Sequence, residues 1–434
     1  MSDIAIGLTG TAGMLVLFAL RVPIGLALIF VSACGMWAII GPGPAIGMVR
    51  SVPFDFIANW TLSAVPMFVL MGYLCYHAGM TESLFRLAKA VLARIPGGVA
   101  VSGIMACSGF AAVSGSSVAC AAAMGRIAIP EMVKAGYDKN FACGTIAAGG
   151  TIGALIPPSV IMILYGIFAQ VSIVDLFLGG ISIGLLTAFS YIAVIVLMSK
   201  FRPDKVPSSL PDVPRDELLR SLKEVGPVLL LIVGVFGGLF SGVFTPTEAG
   251  AVGASLACVL SLLQRKLSGQ AFIRSISETV LTCAALMIIP VGAAMFTRFL
   301  SFSGTGDFIT TMVTGLDLPY WQLMLLIMVI YLILGTFMEG VGAMLLTLPI
   351  FLPILNATDV SLVFFGIFVT KMIEVGMITP PFGLNVFVIK SVVGSLTTLY
   401  GVFRGIMWFL VADLIVVTLI IFYPQIVLFP TWFK

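Results

Sequence analysis

The feature that limits this chain most is the recurrence, from one end to the other, of apolar runs close to the roughly 20 residues that a helix needs to cross a bilayer. No interval between the runs is long enough for a separate soluble domain. Hydrophobic residues make up 60% of the chain and charged residues 9%, which excludes the ordinary soluble classes. An all-α polytopic membrane protein is expected. The net charge of +3 is scattered over loop positions and offers no basic face to a nucleic acid. The single histidine, His77, and seven cysteines without a C-x-x-C pair supply neither a zinc site nor a Ser-His-Asp triad. The cysteines therefore read as small core residues, and His77 as packed or interfacial. The amino-terminal run lacks a basic flank and a cleavage site, so it is expected to stay as a membrane helix.

Two of the runs are broken by paired prolines. Sliding the chain over itself until "GALIPPS" (Gly153 to Ser159) lies on "GMITPPF" (Gly376 to Phe382) superposes Gly153 on Gly376 and both proline pairs. With a small drift in register, Gly115 meets Gly340 and "AGMTES" from Ala78 meets "SGTGDF" from Ser303. The chain thus reads as two copies of one unit, joined by the polar stretch Lys200 to Glu224.

Basic residues decide how the copies are oriented, because cytoplasmic flanks collect Lys and Arg. Arg86, Lys89 and Arg94 follow the third apolar run of the first copy, whereas the matching interval Gly304 to Pro319 carries only Asp307 and Asp317. Arg126, Lys134 and Lys139 are likewise answered by Asp359 alone. Equivalent loops lie on opposite sides, the mark of an inverted-topology repeat. Threading the chain under this rule places both termini outside and the central loop inside, with Arg50 as a misfit.

The expected organisation is a first repeat over 1–199, a cytoplasmic connecting loop over 200–224, and a second repeat over 225–434. The first holds scaffold helices over 4–79, an amphipathic arm over 80–95, a re-entrant hairpin over 97–124 and a broken helix over 140–170. The second holds a hairpin near 320–353 and a broken helix near 361–390.

Pro157 has no amide hydrogen, and Pro158 drives its predecessor out of the helical region, which frees carbonyls between Gly153 and Ile156. The hairpin tip "AVSGSSVA" brings Ser114, Ser116 and Ser117. Hydroxyls placed against freed carbonyls make the hard-oxygen pocket that a small alkali cation prefers. A twin is available from Gly335, Thr336, Gly340, Gly376 and Thr379. Alone, a Pro-Pro pair could simply kink a helix and a Ser-Gly-Ser-Ser tip could simply permit close packing; their joint appearance in both copies argues for the pocket.

At these residues the chain resembles the large membrane subunit of the tripartite ATP-independent periplasmic (TRAP) transporters, within the ion-transporter superfamily. The likeness runs nearly the full length, through "RVPIGLAL" (Arg21), "AVPMFVLMG" (Ala64), "VSGSSVA" (Val113), "IPEMVKAGYDKNFA" (Ile129), "GTIGALIPPSVIMILYG" (Gly150), "FTPTEAGAVGA" (Phe244) and "TPPFGLN" (Thr379). It implies sodium-driven import of an organic acid across the bacterial inner membrane, by an elevator-like movement of a transport domain past a scaffold. It implies a separate four-helix small subunit as partner, since the first motif starts at Arg21, and a periplasmic binding protein that delivers substrate. Carried over by motif, a first sodium site takes Ser114, Ser116, Ser117, Gly153, Ile156 and Pro157, and a second takes Gly335, Thr336, Gly340, Gly376 and Thr379. Sodium is the coupling ion, and no organic cofactor is implied.

Substrate contacts are less marked. Ser116, Glu339, Lys371 and Asn385 are the cavity candidates, and intramembrane charges qualify by default. Lys371 and Glu374 lie three apart on one helix face and could neutralise each other. Arg298 reads as an interfacial anchor and Glu248 in "TPTEAG" as a helix-start carboxylate. The arm Thr81 to Arg94 and the outer face of the first two helices offer surfaces to a partner or to lipid. A self-contained sodium/carboxylate symporter of the same superfamily is the alternative. An intramembrane enzyme lacks an acid-base constellation; an ion channel could use the same carbonyls, but twin hairpins suit alternating access better than a pore.

Overall fold

The computed structural model describes residues 2–92, 94–207 and 215–433. Among them the chain is helical, without strands. The first half contains α1 (Asp3–Ala19), α2 (Ile24–Ile40), α3 (Pro42–Ile57), α4 (Ala64–His77), α5 (Met80–Leu92), α6 (Gly98–Ser114), α7 (Ser117–Lys134), α8 (Lys139–Thr151), α9 (Val160–Ala169) and α10 (Ile173–Phe201). The second contains α11 (Arg215–Phe240), α12 (Pro246–Leu263), α13 (Gly269–Phe302), α14 (Thr305–Thr314), α15 (Tyr320–Phe337), α16 (Gly340–Ala357), α17 (Leu362–Gly376), α18 (Leu384–Val393), α19 (Leu399–Phe422) and α20 (Gln425–Leu428). Seven described helices are long and apolar enough to cross a membrane, or eight if the bent pair Pro42–Ile57 and Trp60–His77, turning by 55°, forms one span.

Several boundaries differ from the sequence reading. A helix covers Pro42–Ile57 where only a return near Gly41 was expected, because Pro42 opens it at the N-terminal position that proline tolerates. The first hairpin's second arm continues past 124 to Lys134, through Pro130. Of the connecting loop 200–224, residues 208–214 lie outside the described ones; α10 enters it to Phe201 and α11 begins at Arg215. The loop's first part is tied down: Asp138 N–H donates to the Lys205 carbonyl at 2.9 Å, and Val206 is fully buried.

Burial follows composition. Helix α6 is apolar on every side and is buried along nearly its whole length, as expected for a helix without a polar face. Helices α1 and α3 turn Leu15 and Phe54 outward, the side that lipid would cover. The arm α5 is amphipathic: Leu84 and Phe85 are buried while Arg86 is exposed and meets Glu224 at 3.1 Å and Glu82 at 3.5 Å. Four cysteines are core residues as expected, but Cys34 is exposed, and Cys258 and Cys283 are half-buried, since their helix faces point away from the core. Where helices approach most closely, glycine allows it. Gly25 of α2 crosses Gly292 of α13, and Gly144 of α8 crosses Gly405 of α19, with a Cβ at Gly25 or Gly292 falling 2.7 Å from opposing carbonyl oxygen.

Candidate ion and substrate site

Each half places a helical hairpin beside a helix that stops and restarts. In the first, α6 and α7 are joined at Gly115, whose φ of 62° is left-handed, and Ser116 caps α7 by accepting from Ala119 N–H at 3.4 Å. In the second, α15 and α16 are joined at Met338 and Glu339 in extended backbone, and the Glu339 carboxylate caps α16 by accepting from Gly342 N–H at 3.2 Å. In both pairs the turn between the helices is two residues long.

The tips sit on the breaks. A Cβ at Gly115 would overlap the Pro158 carbonyl oxygen, and one at Gly153 would lie 2.9 Å from both the Ser116 carbonyl oxygen and Ser117 Cα. In the second half a Cβ on Gly376 would lie 2.5 Å from Gly335 Cα, and one on Gly340 2.6 Å from Ile373 Cγ2. Ser114, Ser116, Ser117 and Gly153 are thus brought together, and so are Gly335 and Gly376. Ser114 Oγ is buried with no protein partner among the described residues. Ser117 Oγ donates to Glu374 Oε1 at 3.1 Å. Thr336 and Thr379 donate to the carbonyls of Ile333 and Val375, at 2.8 and 2.7 Å. A hydroxyl that donates its proton keeps its lone pairs free for a cation. The Ile156 side chain turns away onto Gly184 of α10, and Pro157 is buried.

A cavity of about 450 Å³ opens at the first tip, lined by the Ser114 to Ser117 turn, Tyr73 and Tyr76 of α4, Thr282 of α13, Glu339 and Met377. Ser116 and Glu339 line this cavity. Lys371 and Asn385 do not line it. Lys371 is fully buried and its ammonium bonds Asp413 at 2.6 Å and Thr187 at 3.0 Å, so it pairs with α19 and not with Glu374, the partner its spacing offered. The reason is geometric: the ammonium is taken up across α10 and α19, while Glu374 faces α7. Asn385 is also fully buried, its N–H bonded to the Met377 carbonyl at 3.0 Å and its side-chain amide unpartnered among the described residues.

The Lys371 pair belongs to a longer buried chain. Tyr191 donates to Asp413 at 2.7 Å, and its oxygen lies 3.1 Å from Thr151 Oγ1, two residues before Gly153. The two breaks are therefore joined through α10 and α19 by polar contacts. Arg298 is exposed and away from the cavity, and Glu248 forms a capping box with Thr245, accepting its N–H at 2.8 Å. His77 bonds Glu278 at 2.9 Å, and Tyr73 bonds Thr282 at 2.8 Å, which makes the α4 and α13 seam one polar wall of the site. That wall was missed in the sequence, where Tyr73 and Thr282 stand far apart; only the i, i+4 spacing of Tyr73 with His77 and of Glu278 with Thr282 hints at it.

Comparison with known proteins agrees with this architecture. The tripartite ATP-independent periplasmic transporter DctM component family matches residues 11–426. The C4-dicarboxylate TRAP transporter large permease protein DctM of Pseudomonas aeruginosa is 35% identical over 87% of this chain and 88% of its own length. The sialic acid TRAP transporter large permease protein SiaM of Vibrio cholerae is 35% identical over 96% of each. Among solved structures, the YdaH transporter of Alcanivorax borkumensis shares the fold, with a TM-score of 0.58 at 16% identity over 87% of this chain and 88% of its own. The relatives are permeases, which sets the enzyme reading aside. A multi-pass helical membrane chain with hairpin tips seated on two helix breaks, matched along most of its length by these permeases, belongs to the DctM component family of the tripartite ATP-independent periplasmic transporters.

Proposed function

We propose that this chain is the large permease of a binding-protein-dependent, sodium-coupled importer of an organic acid in the bacterial inner membrane. The observation that carries the reading is the close contact of each hairpin with its own proline-broken helix, Gly115 of the first tip on Pro158 and Gly335, on the arm leading to the second tip, on Gly376. Sodium is held at the first pair by Ser114, Ser116, Ser117 and the backbone from Gly153 to Pro157, and at the second by Gly335, Thr336, Gly340, Gly376 and Thr379. The unpartnered Ser114 hydroxyl, buried beside the cavity, fits a hard cation that prefers oxygen ligands.

The substrate occupies the cavity. Relatives are named for C4-dicarboxylate and sialic acid, and a carboxylate is the common group. No Lys or Arg lines the cavity, so the anion is received by the Ser117 and Val118 amides in the first turn of α7, the Ala119 N–H being taken by the Ser116 cap. The carboxylate of Glu339 occupies the corresponding end of α16, whereas the cap of α7 is the uncharged Ser116 hydroxyl. Bound sodium adds positive charge nearby. The two inverted repeats form a scaffold and a transport domain that moves in an elevator step, with a small four-helix subunit and a periplasmic binding protein as partners.

Uptake of labelled organic acids into proteoliposomes, with the small subunit, with and without the binding protein and under an inward sodium gradient, tests this. Uptake should require both, and Ser114→Ala and Thr379→Ala should each raise the sodium needed for half-maximal rate about tenfold, the effect of one lost ligand to a charge. Uptake without the binding protein would make the chain a self-contained symporter. Uptake indifferent to sodium would remove the ion sites.

A further inference from the structure

A second cavity, of about 750 Å³, lies between the end of α10 and the beginning of α19 and shares no lining residue with the substrate cavity. Its wall has two characters. Arg202, Lys205 and Arg404 all line it, and among the described residues no carboxylate forms an ion pair with any of them. Leu197, Phe201 and Trp408 are among its apolar residues, exposed by 52%, 70% and 57%. The one acid in the wall, Asp138, is engaged in capping α8, accepting from Phe141 N–H at 2.9 Å.

The position decides what such a wall meets. Helix α10 has 29 residues, about 43 Å at 1.5 Å per residue, so its end reaches headgroup level on crossing a bilayer. Trp and Phe at that depth are ordinary interfacial residues, and basic side chains just beyond them face lipid phosphates. A soluble anion would use the three cations but gains nothing from the exposed apolar wall, whereas a phospholipid uses both.

We propose that this pocket binds one anionic phospholipid, its phosphate on Arg202, Lys205 and Arg404 and an acyl chain along Leu197, Phe201 and Trp408. The lipid clamps α10 to α19, the two helices whose Tyr191 and Asp413 join the breaks.

Native mass spectrometry of the purified full-length chain, titrated with phosphatidylglycerol or phosphatidylcholine, reads the site directly. The wild type should hold phosphatidylglycerol in preference to phosphatidylcholine. Arg202→Gln/Lys205→Gln/Arg404→Gln should bind phosphatidylglycerol about a hundredfold more weakly, while the exposed pair Arg265→Gln/Lys266→Gln, which also removes charge, should not. Equal retention of both lipids by the wild type, or an equal loss in the two variants, would overturn the proposal. Displacement of phosphatidylglycerol by millimolar inorganic phosphate would make it a site for free anions, and loss of lipid on adding the small subunit would make it a protein interface. Should the triple variant fail to fold, the wild-type lipid preference and the phosphate competition still decide the matter.

Discussion

The two proline-broken helices follow one plan yet differ in what surrounds them. At the first, Pro157, Pro158 and Ser159 are buried, and the hairpin tip closes over the Pro158 carbonyl. At the second, Pro380, Pro381 and Phe382 are exposed, the α15 arm meets the helix earlier, Gly335 on Gly376, and Phe337 of the hairpin lies against Phe382 with ring centroids 5.3 Å apart. The helices leading into the breaks differ as well. In the register that lays Gly153 on Gly376, the buried Lys371 falls on Ala148 and Glu374 on Thr151. A neutral break whose prolines are buried is thus paired with a charged one whose prolines are exposed, which teaches that repeated backbone geometry does not impose repeated electrostatics.

The sharpest way to break this comparison is to remove the charge from the second break. Lys371→Met leaves Asp413 fully buried without its cation, a loss of about 3–5 kcal/mol. A large fall in the melting temperature in detergent should follow, partly restored in Lys371→Met/Asp413→Leu. Ala148→Met, a size control at the equivalent first-break position, should show no such rescue by Asp413→Leu. If the Lys371 single and double variants melt alike, the ion pair is not what supports the second break.

Backbone contact is what the two breaks share, so the next perturbation should strike both. Gly376→Ala places a methyl 2.5 Å from Gly335 Cα, and Gly115→Ala places one against the Pro158 carbonyl. Overpacking of this kind costs about 1–3 kcal/mol, and Gly115 adds the penalty of a left-handed residue. Both variants should melt lower than the wild type, Gly115→Ala the more so; an unchanged Gly115→Ala would mean that the tip is not seated as described.

How much of this was legible in the sequence follows from how far each signal reaches along the chain. Pro157, Pro158, Pro380 and Pro381 act on their own neighbours, so the positions of the breaks could be read directly. The glycine and serine tip 114–117 is equally local. Lys371 was misread because its partner is on α19: Glu374, three residues away, was the only neighbour the sequence could offer. Tyr73, Tyr76 and Thr282 were invisible as cavity residues for the same reason. Asn385 followed the family motif into the core but not to the cavity, because its helix restarts with that side buried.

The difference in exposure can be measured chemically. With Cys34, Cys258 and Cys283 replaced, Phe382→Cys should react with a soluble maleimide at least about tenfold faster than Ser159→Cys, since the first position is 49% exposed and the second is fully buried. Modification needs opening of the structure only at the buried position, and an opening that costs about 1.4 kcal/mol already gives that ratio. Equal rates would mean that the first break is as open as the second.

The smallest expected effect concerns the far end of the first hairpin. Glu131 of α7 meets Lys89 of the arm α5 at 2.7 Å and Lys134 at 3.1 Å, and the hydrogen bond from Lys89, followed by that from Lys134, holds its carboxyl below the ordinary glutamate range. For a carboxyl depressed in the folded state, the stabilisation is complete above the unfolded pKa, near 4.5, and fades as pH falls through the lower folded value. Both ends of the pair are about a third exposed, so screening keeps the contribution under about 1 kcal/mol. Glu131→Gln should therefore lower the melting temperature by about one degree at pH 7, with the gap to wild type closing below pH 4.5. The far end of the second hairpin, at Ala357, makes no ion pair among the described residues, so Asp359→Asn should leave that profile unchanged. A gap that persisted at low pH would show that Glu131 supports the hairpin through packing of its side chain rather than through charge.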